Sequence, residues 1–404
     1  MKTTRLGRFF RSIRCSAAAV TLLAAVSAPA FGFQSEGTVR IGLLESQTGT
    51  FAPFGLPGLW GSLIAIDEIN AAGGVMIDGR RVRLAVTPSP NGHDSGADPA
   101  QAILLLKRLQ AENQVLMIKG LSFSNAGMAV FNYLNELEKE GNPIVVHSSA
   151  VGAPGLSQIS RWGFRNTFSE VDIVGGVAAA VQKRTGAKTA AFFITKDNPY
   201  FPSIAEKAII PALKGLGIEV KVVTDAVTSD RDFTRQVDQI RSANPDLVYV
   251  LATTLPAINF MKEAKRRGLK PKAYIGGISQ LTVETLKSGG DAVDGMIMAG
   301  SYDSASPALK RFSDEYQRRF KQDISLFAVN GHEAIYLIKD ALEKSGIKNT
   351  PETLAEDRRK FRDAFAKAAI TSVTGEKIGF NADRETPKAG VLLHIKDGQF
   401  AALP

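Results

Sequence analysis

The chain has 404 residues, with 49 Lys and Arg against 40 Asp and Glu for a formal net charge of +9. No arginine-rich run is interleaved with aromatic residues, so this balance is not the footprint of a nucleic-acid-binding face. The single cysteine, Cys15, excludes a disulfide framework and a thiolate metal site.

Five cations, Lys2, Arg5, Arg8, Arg11 and Arg14, precede an apolar stretch from Ala17 to Val26 that ends in Ser27-Ala28-Pro29-Ala30. This is the pattern of a secretory signal peptide over residues 1–30, with cleavage expected near Ala30 or, alternatively, after Gly32. The stretch is shorter than the roughly 20 apolar residues that span a bilayer. Cys15 lies before it, where a lipid-modified cysteine would not, and leaves with the peptide. Losing the five cations lowers the net charge from +9 to +4. The remaining chain exceeds the roughly 250–300 residues at which one hydrophobic core stops growing, so two lobes are expected. No second apolar run is long enough to cross a membrane, and no stable membrane insertion is expected.

From Val39 onward, short aliphatic runs alternate with amphipathic stretches, the signature of parallel sheets covered by helices. Strands are predicted at Val39 to Leu44, Arg81 to Thr87, Val115 to Lys119 and Pro143 to His147, with helices at Leu59 to Ala71, Pro99 to Ala111 and Gly127 to Glu140. A second series follows Arg165, with strands at Thr189 to Thr195, Ile218 to Thr224, Leu247 to Ala252, Ala273 to Gly276 and Gly295 to Gly300. Helices near 172–184, 202–215, 231–242 and 256–267 separate them. Two more helices, Pro307 to Phe320 and Val329 to Glu343, a polar break at Ser345 to Pro351, a further helix to Ala368 and a terminal hairpin over Thr374 to Phe400 complete the chain. The expected fold is α/β: two doubly wound Rossmann-like lobes joined by a multi-strand hinge, lobe I from 34–168 plus 302–350 and lobe II from 169–301 plus 351–404.

Gly55-Leu56-Pro57-Gly58-Leu59-Trp60-Gly61 stands between a strand and a helix, where a nucleotide loop would be, but lacks the spacing of one. It reads as a glycine turn, or as a helix start open to an anion. Gly120-Leu121-Ser122-Phe123-Ser124 lacks the Gly-X-Ser-X-Gly elbow of a nucleophile, which leaves a hydrolase using Ser122 or Ser124 without its motif. His93, His147, His332 and His394 have no metal-ligating spacing. Ser124 and Asn125 sit at a strand end that opens a helix, a position that suits either a ligand carboxylate or an ordinary N-cap. His147 to Pro154 forms a second polar strand end in the same lobe, and Tyr200 and Thr253 or Thr254 occupy comparable positions in the other. Open α/β sheets bind ligands at such edges.

Thr48 to Gly55, Ala65-Ile66-Asp67-Glu68-Ile69-Asn70-Ala71-Ala72-Gly73-Gly74-Val75, Asp98 to Ala102, Asp232-Phe233-Thr234 and Ala264 to Leu269 together resemble the type I periplasmic solute-binding proteins of the branched-chain amino acid kind. The resemblance runs over most of the chain after the signal peptide. It implies a periplasmic receptor, without enzymatic activity or cofactor, that delivers a small-molecule ligand to the permease subunits of an ABC importer. A ligand-sensing accessory protein that docks on a membrane sensor is the alternative. Carried over by position, Ser124 is similar to the serine that bonds the ligand carboxylate, and Ser149 to a residue that offers backbone groups. Phe54 is similar to a pocket-lining aromatic and Tyr200 to a tyrosine that closes over the ligand. Val151 stands where the amino-acid binders place a threonine, Thr253 where they place a tyrosine, and Ile278 where they place the acid that pairs with the α-ammonium. Burying an ammonium without that acid costs several kcal/mol. A carboxylate lacking an ammonium group is therefore the expected ligand, unless Glu45 or Asp303 supplies the charge. Amides and amino-acid-like solutes complete the expected range, and Phe123 and Trp60 are further candidates for an apolar wall.

Overall fold

The computed structural model describes residues 37–112, 114–167, 170–302, 306–388 and 390–403. The signal peptide and Asp303 lie outside them. The first lobe opens with β1 (Thr38–Glu45), α1 (Ala52–Ala71), β2 (Val75–Ile77), β3 (Arg80–Thr87), β4 (His93–Asp94), α2 (Pro99–Ala111), β5 (Met117–Gly120), α3 (Ser124–Lys139), β6 (Val145–Ser148) and β7 (Gly163–Arg165). Its sheet runs β2-β3-β1-β5-β6-β7, parallel except for β2, with β4 beside the end of β1. The second lobe comprises α4 (Glu170–Thr185), β8 (Thr189–Thr195), α5 (Tyr200–Ile204), α6 (Ile210–Gly215), β9 (Glu219–Ala226), α7 (Thr234–Ala243), β10 (Leu247–Leu251), α8 (Thr254–Arg266), β11 (Ala273–Gly276), α9 (Val283–Gly289) and β12 (Ile297–Gly300).

After Ser306 come α10 (Lys310–Phe320), α11 (Leu326–Lys344), α12 (Leu354–Phe365) and the pair β13 (Ala369–Thr371) and β14 (Lys377–Gly379). β15 (Val391–Lys396) and β16 (Gln399–Ala402) then close the second sheet, which runs β16-β15-β12-β11-β10-β8-β9. Central strands are buried along their length: every residue of β10, Leu-Val-Tyr-Val-Leu, is buried, as parallel strands covered on both faces require. The edge strand β9 alternates exposed and covered positions instead.

Two expectations about the tail are corrected. Residues 351–380 belong with lobe I, because Phe361, Phe365, Ala368 and Ile378 lie in its core. Buried Arg358 clamps α12 there, donating to the carbonyls of Val115 (2.8 Å) and Gln110 (3.1 Å) and to Asn142 (3.1 Å). The single terminal hairpin is in fact two: β13 pairs with β14 in lobe I, and β15 pairs with β16 in lobe II around Asp397 and Gly398, both at positive φ (51° and 73°). Local alternation shows that a segment is extended, but not which strand it joins.

The Gly55–Gly61 segment is also corrected, from a turn to the first half of α1. Its glycines serve close approach. A β-carbon at Gly61 would run into the carbonyl of Ala328 on α11, one at Gly331 into the carbonyl of Gly58, and one at Gly55 into that of Ser46. By length and composition α1 is apolar enough to cross a membrane. It is instead packed against α11 and the first sheet, which is why it is apolar nearly all round.

Gly331→Ala is expected to destabilise the protein by about 1–3 kcal/mol through overpacking. Gly175→Ala, mid-helix with nothing within 4 Å of where the new β-carbon would lie, is expected to stabilise by about 0.5–1 kcal/mol. Denaturant titration of both variants checks the contrast.

His147 in β6 is fully buried, with Phe365 and Phe380 edge-on at 5.4 and 5.8 Å and neither ring nitrogen hydrogen-bonded. Burial, helped by the charges of Lys119 and Lys388, holds it neutral well below its ordinary 6.5. Below that pH the unfolded chain takes a proton that the folded one refuses. Stability is therefore expected to fall by up to about 1.4 kcal/mol per pH unit on this account. His147→Leu should flatten that part of the curve, as measured by chemical denaturation from pH 7 to pH 4.5.

Candidate functional site

In lobe I the site is built at the ends of β1, β5 and β6. β5 ends at Gly120 and Leu121, both at positive φ (157° and 71°), which turns the chain so that Ser122, Phe123 and Ser124 enter the gap between the lobes. A side chain at Gly120 would strike the backbone of Leu44. Ser122 Oγ donates to Glu45 (2.7 Å) and accepts from the Ser46 N–H (3.0 Å). The other oxygen of Glu45 is paired with Lys119, and both side chains are buried. Glu45 is thus buried and its charge is already paired with Lys119.

The turn after β6 winds around Ser148, whose Oγ donates to the Leu121 carbonyl (3.2 Å) and accepts from the Val151 N–H (3.1 Å). This leaves Ala150, Val151 and Gly152 facing the cleft. Aromatic rings complete this side: Phe51 stacks on Phe123 at 4.5 Å, and Phe327 at the start of α11 meets Phe54 edge-on at 5.2 Å.

In lobe II, Asn198 Oδ1 accepts from the Tyr200 N–H (3.2 Å) and sets the start of α5. A π-helical turn at Ala205–Ile209 follows, just before Pro211, whose missing N–H removes a regular helical bond. Thr253 precedes α8, and Thr254 donates to the Ser279 carbonyl (2.9 Å), which fixes the Gly277 to Gln280 turn beneath it. The lobes meet here. A β-carbon at Gly152 would lie 3.0 Å from both Ile278 and Tyr200, and the cleft retains a cavity of only about 20 Å³.

Phe54, Ser124, Val151, Tyr200, Thr253 and Ile278 line this one cleft. Asn125 and Ser149 do not. Asn125 is exposed and reaches across to the Asp197 carbonyl (3.4 Å), and the buried Ser149 gives its carbonyl to Asn330 (2.9 Å). Phe51, Asn198, Ser279 and Phe327 also line the cleft and are not singled out by the sequence. Only Phe51, beside Phe54 in the Thr48 to Gly55 segment, carries a local signal. The hydroxyls of Tyr200 and Thr253 are buried without a hydrogen-bond partner, as is that of Ser149 in lobe I.

One acidic group near Ile278 has no counterpart in the sequence reading. Glu170, at the start of α4, accepts from the Ile278 N–H (2.8 Å), and burial pushes its carboxyl up to about 8 in spite of that bond. Among the described residues no cluster of three or more His, Cys, Asp or Glu could hold a metal ion.

The profile of the family described as "Periplasmic binding protein" matches residues 38–399. A leucine-, isoleucine-, valine-, threonine- and alanine-binding protein of Pseudomonas aeruginosa is 25% identical over 363 residues, 88% of each chain. Among solved structures, the isoleucine complex of the branched-chain amino acid transporter substrate-binding protein LivJ from Streptococcus pneumoniae superposes with a TM-score of 0.78 at 22% identity, over 91% of this chain and 99% of that one. An ABC transporter solute-binding protein of R. palustris in complex with benzoate gives 0.76 at 21% identity, over 91% and 96%. The chain belongs to the periplasmic binding protein family, among relatives of the Leu/Ile/Val-binding kind, and is a periplasmic solute-binding protein and not an enzyme.

Proposed function

We propose that the protein captures a small carboxylate without an α-ammonium group between its lobes and hands it to the permease subunits of an ABC importer. The observation that carries this reading is the composition of the cleft: partnerless hydroxyls from Tyr200 and Thr253 beside phenylalanine walls, with no Asp or Glu among the described residues that line it. A buried hydroxyl left unsatisfied costs about 1–3 kcal/mol, which a ligand acceptor would return. Ser124 opens α3, a helix of 16 residues, so the unpaired N–H groups of its first turn and its positive end favour an anion there.

The cation side is the selective one. Ile278 supplies no charge, Glu45 is spent on Lys119 and Ser122, and burial shifts Glu170 toward its neutral form. The fold itself does not choose, since neighbours of similar TM-score carry isoleucine in one case and benzoate in another. A cavity of about 20 Å³ is smaller than any such solute. Loading therefore requires the lobes to part by rotation about their crossings, and closure on the ligand forms the face that the importer reads.

Thermal denaturation against α-amino acids, amides, aliphatic acids and benzoates tests the ligand class, since a ligand at a hundred times its Kd adds about 2.7 kcal/mol. Stabilisation is expected from carboxylates lacking an ammonium and is expected to vanish in Ser124→Ala. Stabilisation by leucine alone would overturn the reading and point to Glu170 ionising against the ammonium.

Tyr200→Phe separates binding from folding. Removing the partnerless hydroxyl is expected to leave the unliganded protein as stable or up to about 1 kcal/mol more stable, while weakening the best carboxylate about tenfold. Calorimetric titration and melting curves read the two effects, and an unchanged affinity would remove Tyr200 from the site.

A further inference from the structure

The chain passes between the two cores at three places: after Thr167, after Tyr302 and after Lys388. On lobe I, α11 runs beside all three. Lys388 pairs with Glu333 Oε2 at 2.5 Å and donates to Asn330 Oδ1 at 2.6 Å, and the side chains of both ion-pair partners are 2% exposed. Asn166, on the approach to the first crossing, donates through Nδ2 to the Asn330 carbonyl (2.9 Å) and to Glu333 (3.3 Å). Tyr302, at the second crossing, has its phenol pushed up by burial and then by the nearby charge of Glu333. Ser372, at the turn between β13 and β14, donates to the remaining Glu333 oxygen (2.6 Å).

The same cluster reaches the cleft. Asn330 Nδ2 donates to the Ser149 carbonyl (2.9 Å), and the Asn166 N–H donates to Ser148 (3.1 Å), so both hold the turn that presents Ala150 to Gly152. We propose that Glu333 is the pivot of the hinge, one buried carboxylate that fastens the first and third crossings to one another and, through Asn330, to the cleft turn at Ser149.

Two arguments support a role beyond stability. An ion pair buried this deeply generally stabilises no more than an apolar pair of the same shape, so it is accounted for better by the single arrangement it enforces. Buried polar atoms without a protein partner also gather at these crossings: Arg165 Nε, Asn166 Oδ1, Thr167 Oγ1 and Thr386 Oγ1. Such groups are uncommon in a folded chain, and their concentration here marks a region whose hydrogen bonds are not at their best in one lobe arrangement alone. The Glu45–Lys119 pair is equally buried but lies within lobe I, so it serves as the contrast.

The test is the distribution of lobe separations in unliganded full-length protein, which makes it independent of the ligand. Met128 on α3 and Leu255 on α8 are exposed (37% and 38%) and stand on opposite lobes. Met128→Cys and Leu255→Cys in a Cys15→Ser background carry a pair of spin labels, with no other thiol in the chain. Double electron–electron resonance is expected to give one narrow peak for this parent. Adding Glu333→Leu and Lys388→Met together is expected to leave the melting temperature equal or higher yet replace the peak by a broad distribution. Lys388→Arg alone, which keeps Glu333, the charge and the donors, is expected to retain the narrow peak. Should the apolar pair fail to fold, Asn166→Leu cuts the link to the first crossing without stranding a charge and is expected to broaden the peak. A parent that is itself broad, or a folded Glu333→Leu/Lys388→Met or Asn166→Leu variant with the parent's narrow peak, would overturn the proposal.

Discussion

The arrangement rests on the contact between α1 and α11 at backbone distance. Gly58 and Gly61 on one helix face Ala328 and Gly331 on the other so closely that no β-carbon fits at Gly61 or Gly331. Everything that α11 brings follows from this: Phe327 enters the cleft beside Phe54, Asn330 reaches Ser149, and Glu333 stands where the crossings gather. A helix held a few ångströms farther off would have room for larger side chains but would deliver none of these groups. Close packing transmits position because interiors are dense and resist small displacements.

Polar groups in the interior are used in two different ways. Around Glu45 and Glu333 both carboxylate oxygens are satisfied, so these charges organise the protein and offer nothing to a solute. Around Tyr200 and Thr253 the buried hydroxyls have no partner in the protein, at a cost of about 1–3 kcal/mol each. Binding proteins gain specificity this way, because a ligand lacking the matching acceptor restores nothing.

Much of the architecture is legible because parallel strands read as short apolar runs and their helices as amphipathic stretches, so Leu247 to Leu251 and the helix after it need no tertiary information. That Ser124, Tyr200 and Ile278 face one cleft is legible for the related reason that all three stand near strand ends. What stays hidden depends on contacts distant in sequence. Glycine looks the same in a turn as in a helix that must approach another, so the Gly55–Gly61 segment reads as a turn although it is helical. Phe327 opens what reads as an ordinary amphipathic helix, and Glu170 meets Ile278 only through the fold. The membership of α12 in lobe I is decided by Arg358 and the carbonyls it finds on Val115 and Gln110.

The order of segments along the chain bears on how the protein comes to be made. Neither lobe is built from one continuous stretch: the core of lobe I waits for α11 and α12, and the sheet of lobe II for β15 and β16, which end at Ala402. A ribosome that has read as far as Gly300 has emitted two unfinished halves, one with the glycine face of α1 uncovered and one with the edge of β12 unpaired. Such intermediates expose apolar surface and strand edges, the features that draw nascent chains into aggregates. Completion of both lobes is thereby deferred until the last strands of the polypeptide have been made.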